Sequence, residues 1–343
     1  MGAYVLRRLW QMIPTLAGVM LLIFMLFNWV GGDPALVLAG KITNKEQIEN
    51  IRKQLGVDQP YPVQLGYFAF EVATGFTCTY KSFTEPVKDE GKSNDKDKGK
   101  AAPSGCQAVR SWATNEEVPK ILVTRIGPTL TIMLPVLILE TLIAMILAIG
   151  VAYVRGTLTD RMIMMICTAA MSISFLVYII VFQYLFGFIL GWFPVQGWSD
   201  SFWKNLLTYA PLPIMLAIFV GLAPALRLYR SFFLDEINHD YVRTARAKGL
   251  SETSVMLKHV LRNAMIPILT NVGIALPGIF VGSFLLETFF SIPGLGREIL
   301  VAVNRSDFPV IKAATVYLAI VTMIINLLVD VMYKVVDPRV TFK

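Results

Sequence analysis

Residues 126–154 read IGPTLTIMLPVLILETLIAMILAIGVAYV and carry a single charged side chain, Glu140. A helix needs about 20 predominantly apolar residues to cross the roughly 30 Å hydrocarbon core of a bilayer, so this segment is long enough to span it. An isolated segment in lipid must also satisfy its own backbone N–H and C=O groups, which a helix does. The segment therefore predicts a transmembrane α-helix and indicates the fold class.

Five more segments of the same kind lie on either side of this one. We predict further transmembrane helices at residues 9–30, 162–190, 205–226, 263–286 and 313–333. The composition agrees, because 55% of the residues are hydrophobic and 16% are charged, against roughly a quarter charged in an average soluble domain. The sequence therefore predicts an all-α polytopic membrane protein with six spans.

The first span follows Arg7 and Arg8, as the apolar region of a signal peptide would. It is longer than the roughly 7–15 apolar residues of a signal and lacks a small-x-small cleavage site, so we expect it to be retained.

The residue inventory excludes several function classes. The composition does not fit a disordered protein, a coiled coil or a disulfide scaffold. The chain has two histidines, His239 and His259, and three cysteines without metal-ligand spacing. We therefore expect neither a metal site nor a Ser-His-Asp triad, and no cofactor. No GxxxxGK[ST] phosphate-binding motif occurs in the sequence, so the chain is not expected to hydrolyse ATP itself.

Basic residues indicate the orientation. If the N-terminus is cytoplasmic, the inside segments hold fourteen Lys and Arg residues and the two short outside loops hold four. Long loops translocate largely regardless of charge, so residues 31–125 are left out of this comparison. The excess predicts that both termini are cytoplasmic and accounts for the net charge of +7 without nucleic acid.

The spans divide the chain into four parts: an N-terminus with the first span (1–30), a periplasmic loop (31–125), a five-helix core (126–333) and a cytoplasmic tail (334–343). Within the periplasmic loop, residues 46–55 have the apolar spacing of an amphipathic helix. Residues 81–105 are polar and predict a flexible insertion. Cys78 and Cys106 flank this insertion on the oxidising side, and the sequence leaves both a disulfide and two free thiols open.

The cytoplasmic loop 229–264 is too long for a tight connection between spans. Its sequence includes DEINHDYVRTARAKGLSETSVMLKHVLRNAMIP, residues 235–267. We predict a helix over 241–248 that ends at Gly249 as its C′ residue, followed by a second helix with Ser251 as its N-cap. Leu257, Val260, Leu261 and Ala264 form one apolar stripe of the second helix. Such a pair of helices fits either a groove on a soluble partner or the surface of the membrane.

Two pieces of this loop, YVRTARAKG (241–249) and HVLRNAMIP (259–267), resemble the cytoplasmic loop of permease subunits of bacterial ABC importers. The similarity is to the dipeptide/oligopeptide subfamily, in the subunit with the long first periplasmic loop. Further matches follow in order at YVLRRLWQMIPTL (4–16), GGDPA (31–35), ETFFSIPGLG (287–296), DFPV (307–310) and NLLVDVMYKVVDPRV (326–340). The resemblance covers the chain except for about residues 81–105.

The loop also departs from the general importer pattern. The first triplet is Arg243-Thr244-Ala245 instead of Glu-Ala-Ala, and the later block is His259-Val260-Leu261-Arg262 instead of Ile-x-Leu-Pro. Because the peptide subfamily resembles this version, we interpret the change as a subfamily trait. It puts in doubt any role that a glutamate would have at position 243.

The resemblance implies a type I ABC importer permease fold in the bacterial inner membrane. It further implies a second homologous permease subunit, two ATPase subunits, a periplasmic or lipid-anchored substrate-binding protein and a peptide cargo. The ATPase-coupling residues carried over from it are Asp240, Tyr241, Arg243, Ala245, Arg246, Ala247, Lys248 and Gly249. In this interpretation small residues allow a close approach of the ATPase, while Arg243, Arg246 and Lys248 pair with acidic groups on it.

Glu140 is the only charge that lies well inside a predicted span. An intramembrane carboxylate is a functional-site hypothesis by default. Two interpretations stay open, a contact with the amino group of a transported peptide and a contact with a neighbouring helix.

Alternative functions remain at two levels. The same machinery imports nickel chelates, sugars or antimicrobial peptides, and the permease sequence does not name its cargo. An intramembrane enzyme is disfavoured because both histidines lie in the cytoplasmic loop. In addition, Glu140 and Asp330, which is near the end of the sixth predicted span, lie at opposite depths.

Overall fold

The computed structural model describes residues 2–30, 36, 48–49, 52, 58–79 and 107–336. The predicted insertion at 81–105 and Cys106 lie outside these residues, as does most of the predicted helix at 46–55. Cys78 is disulfide-bonded and Cys167 is free and buried. The pairing of Cys78 with Cys106 therefore stays a prediction.

The described residues are almost entirely helical, and their only β-pairing is an isolated bridge between Arg110 and Glu117. In chain order the first five helices are α1 (Gly2–Met25), α2 (Tyr61–Ala73), α3 (Val118–Tyr153), α4 (Leu158–Met171) and α5 (Phe175–Phe182). The remaining longer helices are α6 (Pro211–Ile237), α7 (Asp240–Ala247), α8 (Leu261–Val281), α9 (Phe284–Phe289), α10 (Leu295–Asn304) and α11 (Phe308–Val336), and single helical turns occur at Phe202–Lys204 and Glu252–Ser254. Short π-helical stretches occur at Leu26–Val30, Gln183–Ile189, Asn205–Tyr209 and Val255–Val260.

Five helical segments of the described chain are long and apolar enough to cross a membrane: Leu6–Asn28, Val118–Tyr153, Pro211–Ile237, Glu252–Phe289 and Phe308–Val331. The all-α polytopic fold class is thereby confirmed. A sixth span exists only if Leu158–Met171 and Phe175–Ile189 are counted together, and these two segments meet at 93°.

The segment predicted as a span at residues 162–190 is therefore two helical pieces instead of one straight helix, and the sixth span stays a prediction. Two serines lie at the bend, and Ser174 has the extended backbone of an N-cap, with φ −61° and ψ 139°. The Ser172 hydroxyl donates to the Thr168 carbonyl at 3.0 Å. Short polar side chains of this kind offer the backbone alternatives to helical hydrogen bonds, which explains why the helix stops here.

The fourth span begins and ends later than the sequence suggested, at Pro211–Ile237 instead of 205–226. Proline is favoured in the first turn of a helix, where its missing N–H costs nothing. At the other end Tyr229, Phe233 and Ile237 are all buried and recur every four residues, so one packed face continues. The first part of the loop 229–264 is thus a continuation of α6.

The described residues of Met1–Arg125 and Glu298–Leu327 form one compact unit. Within it, the buried Asp307 carboxylate accepts hydrogen bonds from the Ser111 hydroxyl and from the backbone N–H groups of Trp112 (3.1 Å) and Ala113 (3.3 Å). The neighbouring Phe308 ring packs edge-on against Trp112. These contacts tie the segment before α3 to the start of α11.

The described residues of Ile126–Arg297 and Leu328–Thr341 form a second unit, which has two larger apolar clusters and a small one at Cys167, Ala223 and Leu226. The first, which we call the α9 cluster, consists of Ile132, Val136, Ile179, Phe182, Ala210, Leu212, Ile214, Leu216, Leu286, Phe290 and Ile292. The second, which we call the knob core, consists of Ala144, Ala148, Ala152, Tyr229, Phe233, Ile237, Val242, Ala245, Val255, Met256, Val260, Ala264 and Ile268. Both clusters draw on α3 and α6.

Candidate functional site

The segment between α6 and α8 folds as a helical hairpin, which we call the knob (residues 238–260). Its first arm is α7, and its second arm runs from Glu252–Ser254 through the π-helical stretch Val255–Val260 into α8. Gly249 joins the arms with φ +77°. Its N–H donates to the Arg246 carbonyl at 2.9 Å, and the Leu250 N–H donates to the Ala245 carbonyl at 3.4 Å. These two bonds form a Schellman motif, which favours glycine at C′ and confirms the predicted role of Gly249.

The knob packs against the chain's own helices. Val242 and Ala245 of α7 are buried beside Phe233 and Ile237 of α6, within the knob core. An isolated helix as short as α7 is marginal in water, so this packing is what stabilises it. The predicted role of Ala245 at a partner surface does not fit its 5% exposure, whereas Ala247 is exposed.

Two polar contacts hold α7 at its ends. At the start, the Tyr241 hydroxyl donates to the Glu236 carboxylate at 2.5 Å. Burial, followed by this bond, raises the pKa of Tyr241 to about 12, so the hydroxyl stays protonated at neutral pH. At the end, Arg246 donates twice to Glu252, at 3.0 Å from Nε and 2.6 Å from Nη2. The hydrogen bonding of Arg246 to the Glu252 carboxylate raises the pKa of Arg246 above its usual range.

The outer face of the knob is exposed and carries three basic and two acidic side chains, those of Arg243, Lys248, Lys258, Asp240 and Glu252. Of the eight predicted coupling residues, five are exposed: Asp240, Arg243, Ala247, Lys248 and Gly249. Among the described residues, Arg243 forms an ion pair with Asp240 alone, three positions earlier in the same helix, at 3.4 Å. The structure therefore separates the predicted residues into an outward group and an inward group, Tyr241, Ala245 and Arg246, which contact their own chain.

The predicted apolar stripe of the second arm is confirmed at Val260 and Ala264, which are fully buried, and at Leu261, which packs against the knob core. It was wrong at Leu257, which is 54% exposed. Val255 and Met256, at the start of the π-helical stretch, are buried in its place. Ser251 has the predicted N-cap position, but its side chain makes no capping hydrogen bond.

Glu140 lies on the buried face of α3. Ile132 and Val136 before it belong to the α9 cluster, and Ala144 after it belongs to the knob core, each four residues apart. The carboxyl group packs on Gly221 of α6, where a β-carbon would lie 2.5 Å from it. Among the residues that the structure describes, none donates a hydrogen bond to it. The structure thus places Glu140 between the two apolar clusters.

Another acidic residue, Asp160, lies just before the predicted span at 162–190, in the first turn of α4. Asp160 of α4 is buried and receives two hydrogen bonds from Arg230, at 2.8 and 2.7 Å. This pair neutralises Asp160, whereas Glu140 has no such partner in the described chain.

Glu287 of α9 is a second buried carboxyl that sequence reasoning missed. It accepts hydrogen bonds from the Thr129 hydroxyl at 2.9 Å and from the Arg297 N–H at 2.8 Å. A β-carbon at either Gly282 or Gly294 would overlap its carboxyl group. The sequence feature that could have indicated this buried carboxyl is the group of glycines at 282, 294 and 296, which lie close in sequence to Glu287. This arrangement fixes the turn between α9 and α10.

Comparison with known proteins gives a consistent result over the whole chain. The family described as binding-protein-dependent transport system inner membrane component matches residues 140–342, and the family of the N-terminal part of such components matches residues 1–133. The chain is 33% identical over 340 residues to the glutathione transport system permease protein GsiC of Salmonella typhimurium, which covers 99% of both chains.

Two further relatives give the same picture. The GsiC protein of Escherichia coli is 33% identical over 341 residues, 99% of both chains. A probable peptide ABC transporter permease of Sinorhizobium fredii is 30% identical over 349 aligned residues, 100% of both chains.

Proposed function

Because the chain belongs to the family of inner-membrane components of binding-protein-dependent transport systems, we propose that it moves di- or oligopeptides into the bacterial cell. Membership itself gives a coarser statement. The chain is a multi-pass inner-membrane permease subunit of an ABC importer, a transporter component and not an enzyme. A permease of this family works with other components of the importer, such as an ATPase and a substrate-binding protein.

The proposed complex contains this chain, a second homologous permease subunit, two ATPase subunits and a periplasmic or lipid-anchored binding protein. The single observation that carries the proposed coupling is the knob. It is a small helical hairpin, it packs firmly on α3, α6 and α8, and it leaves an exposed face around Lys248 and Gly249. A rigid, exposed projection of this kind suits the transmission of motion from a soluble ATPase to the membrane helices.

The proposal of a peptide cargo is supported by the names of two relatives, one a glutathione transport permease and the other a probable peptide transport permease. Glutathione is itself a small peptide. The alternative is the same machinery with nickel chelates, sugars or antimicrobial peptides as cargo. Uptake of labelled di- and tripeptides by the complete importer, competed with each alternative cargo, distinguishes them.

We also propose that Glu140 contacts the cargo within the membrane. The support is its carboxyl group, to which no described residue donates a hydrogen bond and which is therefore able to accept one from a peptide ammonium group. The position of Glu140 on the packed face against Gly221 favours a second candidate role, a contact between helices.

The coupling proposal is tested by Gly249→Asp in the reconstituted importer. The substitution puts a bulky charge at the exposed turn and forces a side chain into a backbone with φ +77°, which costs roughly 1–2 kcal/mol for most residues and less for aspartate. We expect peptide uptake to be lost while the subunit remains inserted and folded.

Gly191→Asp is the matched control, because Gly191 has φ +61° and open space around it and lies outside the knob. It should leave uptake close to that of the unaltered importer. Normal uptake by Gly249→Asp would remove the coupling role of this turn.

A further inference from the structure

We propose that Arg246 and Glu252 are positioning residues, which hold the tip of the knob (residues 248–250) in place, and that Arg246 does not contact the ATPase. This inference rests on the proposed coupling function of the knob. It changes the role of Arg246, which the family resemblance places among the residues that meet the partner.

The contact between the two side chains spans the turn. Arg246 is in the last turn of α7 and Glu252 begins the second arm, so their ion pair closes a ring around Gly249. Both nitrogen–oxygen distances, 3.0 and 2.6 Å, are short, and the two bonds run in parallel from one guanidinium to one carboxylate. A bidentate pair fixes orientation as well as distance, because the planar guanidinium matches the carboxylate geometry.

A second contact holds the other end of the same helix. Tyr241 in the first turn of α7 donates to Glu236 in the last turn of α6. Between these two ends, Val242 and Ala245 are buried in the knob core. Helix α7 is thus held at its start, along its inner face and at its end. The tip of the knob follows directly after α7, so these contacts also fix the position of the tip.

The pair between Arg243 and Asp240 differs in location and in exposure. Both residues belong to α7 and their side chains are 74% and 95% exposed, against 33% and 43% for Arg246 and Glu252. A pair within one helix cannot fix that helix relative to its neighbours, and exposed pairs contribute little to stability. Arg243 is therefore available to a partner, whereas the donors of Arg246 are already directed at Glu252.

The test uses the complete importer in proteoliposomes and measures the peptide transported per ATP hydrolysed, together with the amount of ATPase that co-purifies. Arg246→Gln and Glu252→Gln each remove the clamp. We expect both to keep the ATPase bound and to lower the transport ratio by up to about five-fold, the upper end of the effect of losing a partly exposed ion pair.

The double variant R246E/E252R restores the pair with exchanged charges. We expect it to recover the ratio to within about two-fold of the unaltered importer, since Arg155, which also interacts with position 252, opposes the exchange. Lys258→Gln is the control, because it removes an exposed basic charge from the same knob and should change neither quantity.

The outcomes separate this inference from the proposed function. If Arg246→Gln releases the ATPase and the exchange fails to restore it, Arg246 contacts the ATPase and the inference is overturned. An unchanged ratio in both single variants overturns it as well. If the unaltered chain holds no ATPase at all, the proposed function itself is wrong.

Discussion

At the scale of single residues, glycines decide where two carboxyl groups fit. Gly221 leaves room for Glu140, and Gly282 and Gly294 leave room for Glu287. Core packing in proteins is dense, so one added methyl group at such a position is felt. The segment 287–296, which resembles other permeases, therefore contains a buried acid, Glu287, whose carboxyl group lies against glycine backbone.

Gly294→Ala should destabilise the protein. The new β-carbon would overlap the Glu287 carboxyl group, and overpacking of this kind costs about 1–3 kcal/mol. Thermal unfolding of the purified protein in detergent measures the effect. Gly278→Ala is the control, because this helical glycine has nothing within 4 Å and alanine is the better helix former. Equal midpoints for the two variants would contradict the packing described around Glu287.

Glu140→Gln should reduce the uptake of peptides with a free amino terminus, by about ten-fold if one charge-assisted hydrogen bond is lost. Uptake of the N-acetylated peptides should stay unchanged, since they carry no ammonium group to pair with the carboxylate. Gly221→Ala, which displaces the carboxyl group, should follow the same pattern. Equal losses for both kinds of peptide would instead indicate a contact between helices.

Sequence reasoning succeeded at Gly249 and failed at Glu287 for a physical reason. The C′ signal of Gly249 is local, because the helix, the glycine and the next N-cap position follow one another along the chain. The partners of Glu287, in contrast, lie at Thr129 and Arg297, and only the folded chain brings them together.

At the scale of elements, the second arm of the knob packs one side of its π-helical stretch Val255–Val260 on the rest of the chain. Val255, Met256 and Val260 are buried in the knob core, while Leu257 is 54% exposed. Apolar spacing predicted the inward position of Val260, but it could not distinguish Leu257 from its neighbour Met256, since both are apolar.

The register is tested by two asparagine substitutions in the same arm. Val260→Asn buries an unpaired polar amide and should cost about 1–3 kcal/mol, seen as a lower unfolding midpoint and less folded protein in the membrane. Leu257→Asn changes an exposed side chain and should be close to neutral. If Leu257→Asn lowered the unfolding midpoint and Val260→Asn did not, Leu257 would be the buried residue of this arm and the described packing would be wrong.

The bend at residues 172–174 belongs to the same scale. Hydropathy counts apolar residues and predicted a continuous span at 162–190, and the residues on both sides are indeed apolar. The two serines, Ser172 and Ser174, were the sequence feature that could have indicated a bend. Serine is also found within straight transmembrane helices, so its presence alone does not predict one. The composition of the segment was predictable and its 93° angle was not.

At the scale of the whole molecule, the count of basic residues predicts that both termini and the knob are cytoplasmic. A cysteine in place of the exposed Lys248 should resist a membrane-impermeant thiol reagent in intact cells and react after permeabilisation. A cysteine in place of Trp203, which is 69% exposed, should react in intact cells. Accessibility in the opposite order would invert the proposed orientation.

The central claim is that the exposed tip of the knob is the place where the ATPase meets this permease. The direct measurement is photo-crosslinking in membranes, with a photoreactive amino acid in place of Lys248 and a second one in place of Trp203 as control. We expect the ATPase subunit to be crosslinked from position 248 and not from position 203. An ATPase that is present in the complex but is never crosslinked from position 248 would contradict the account.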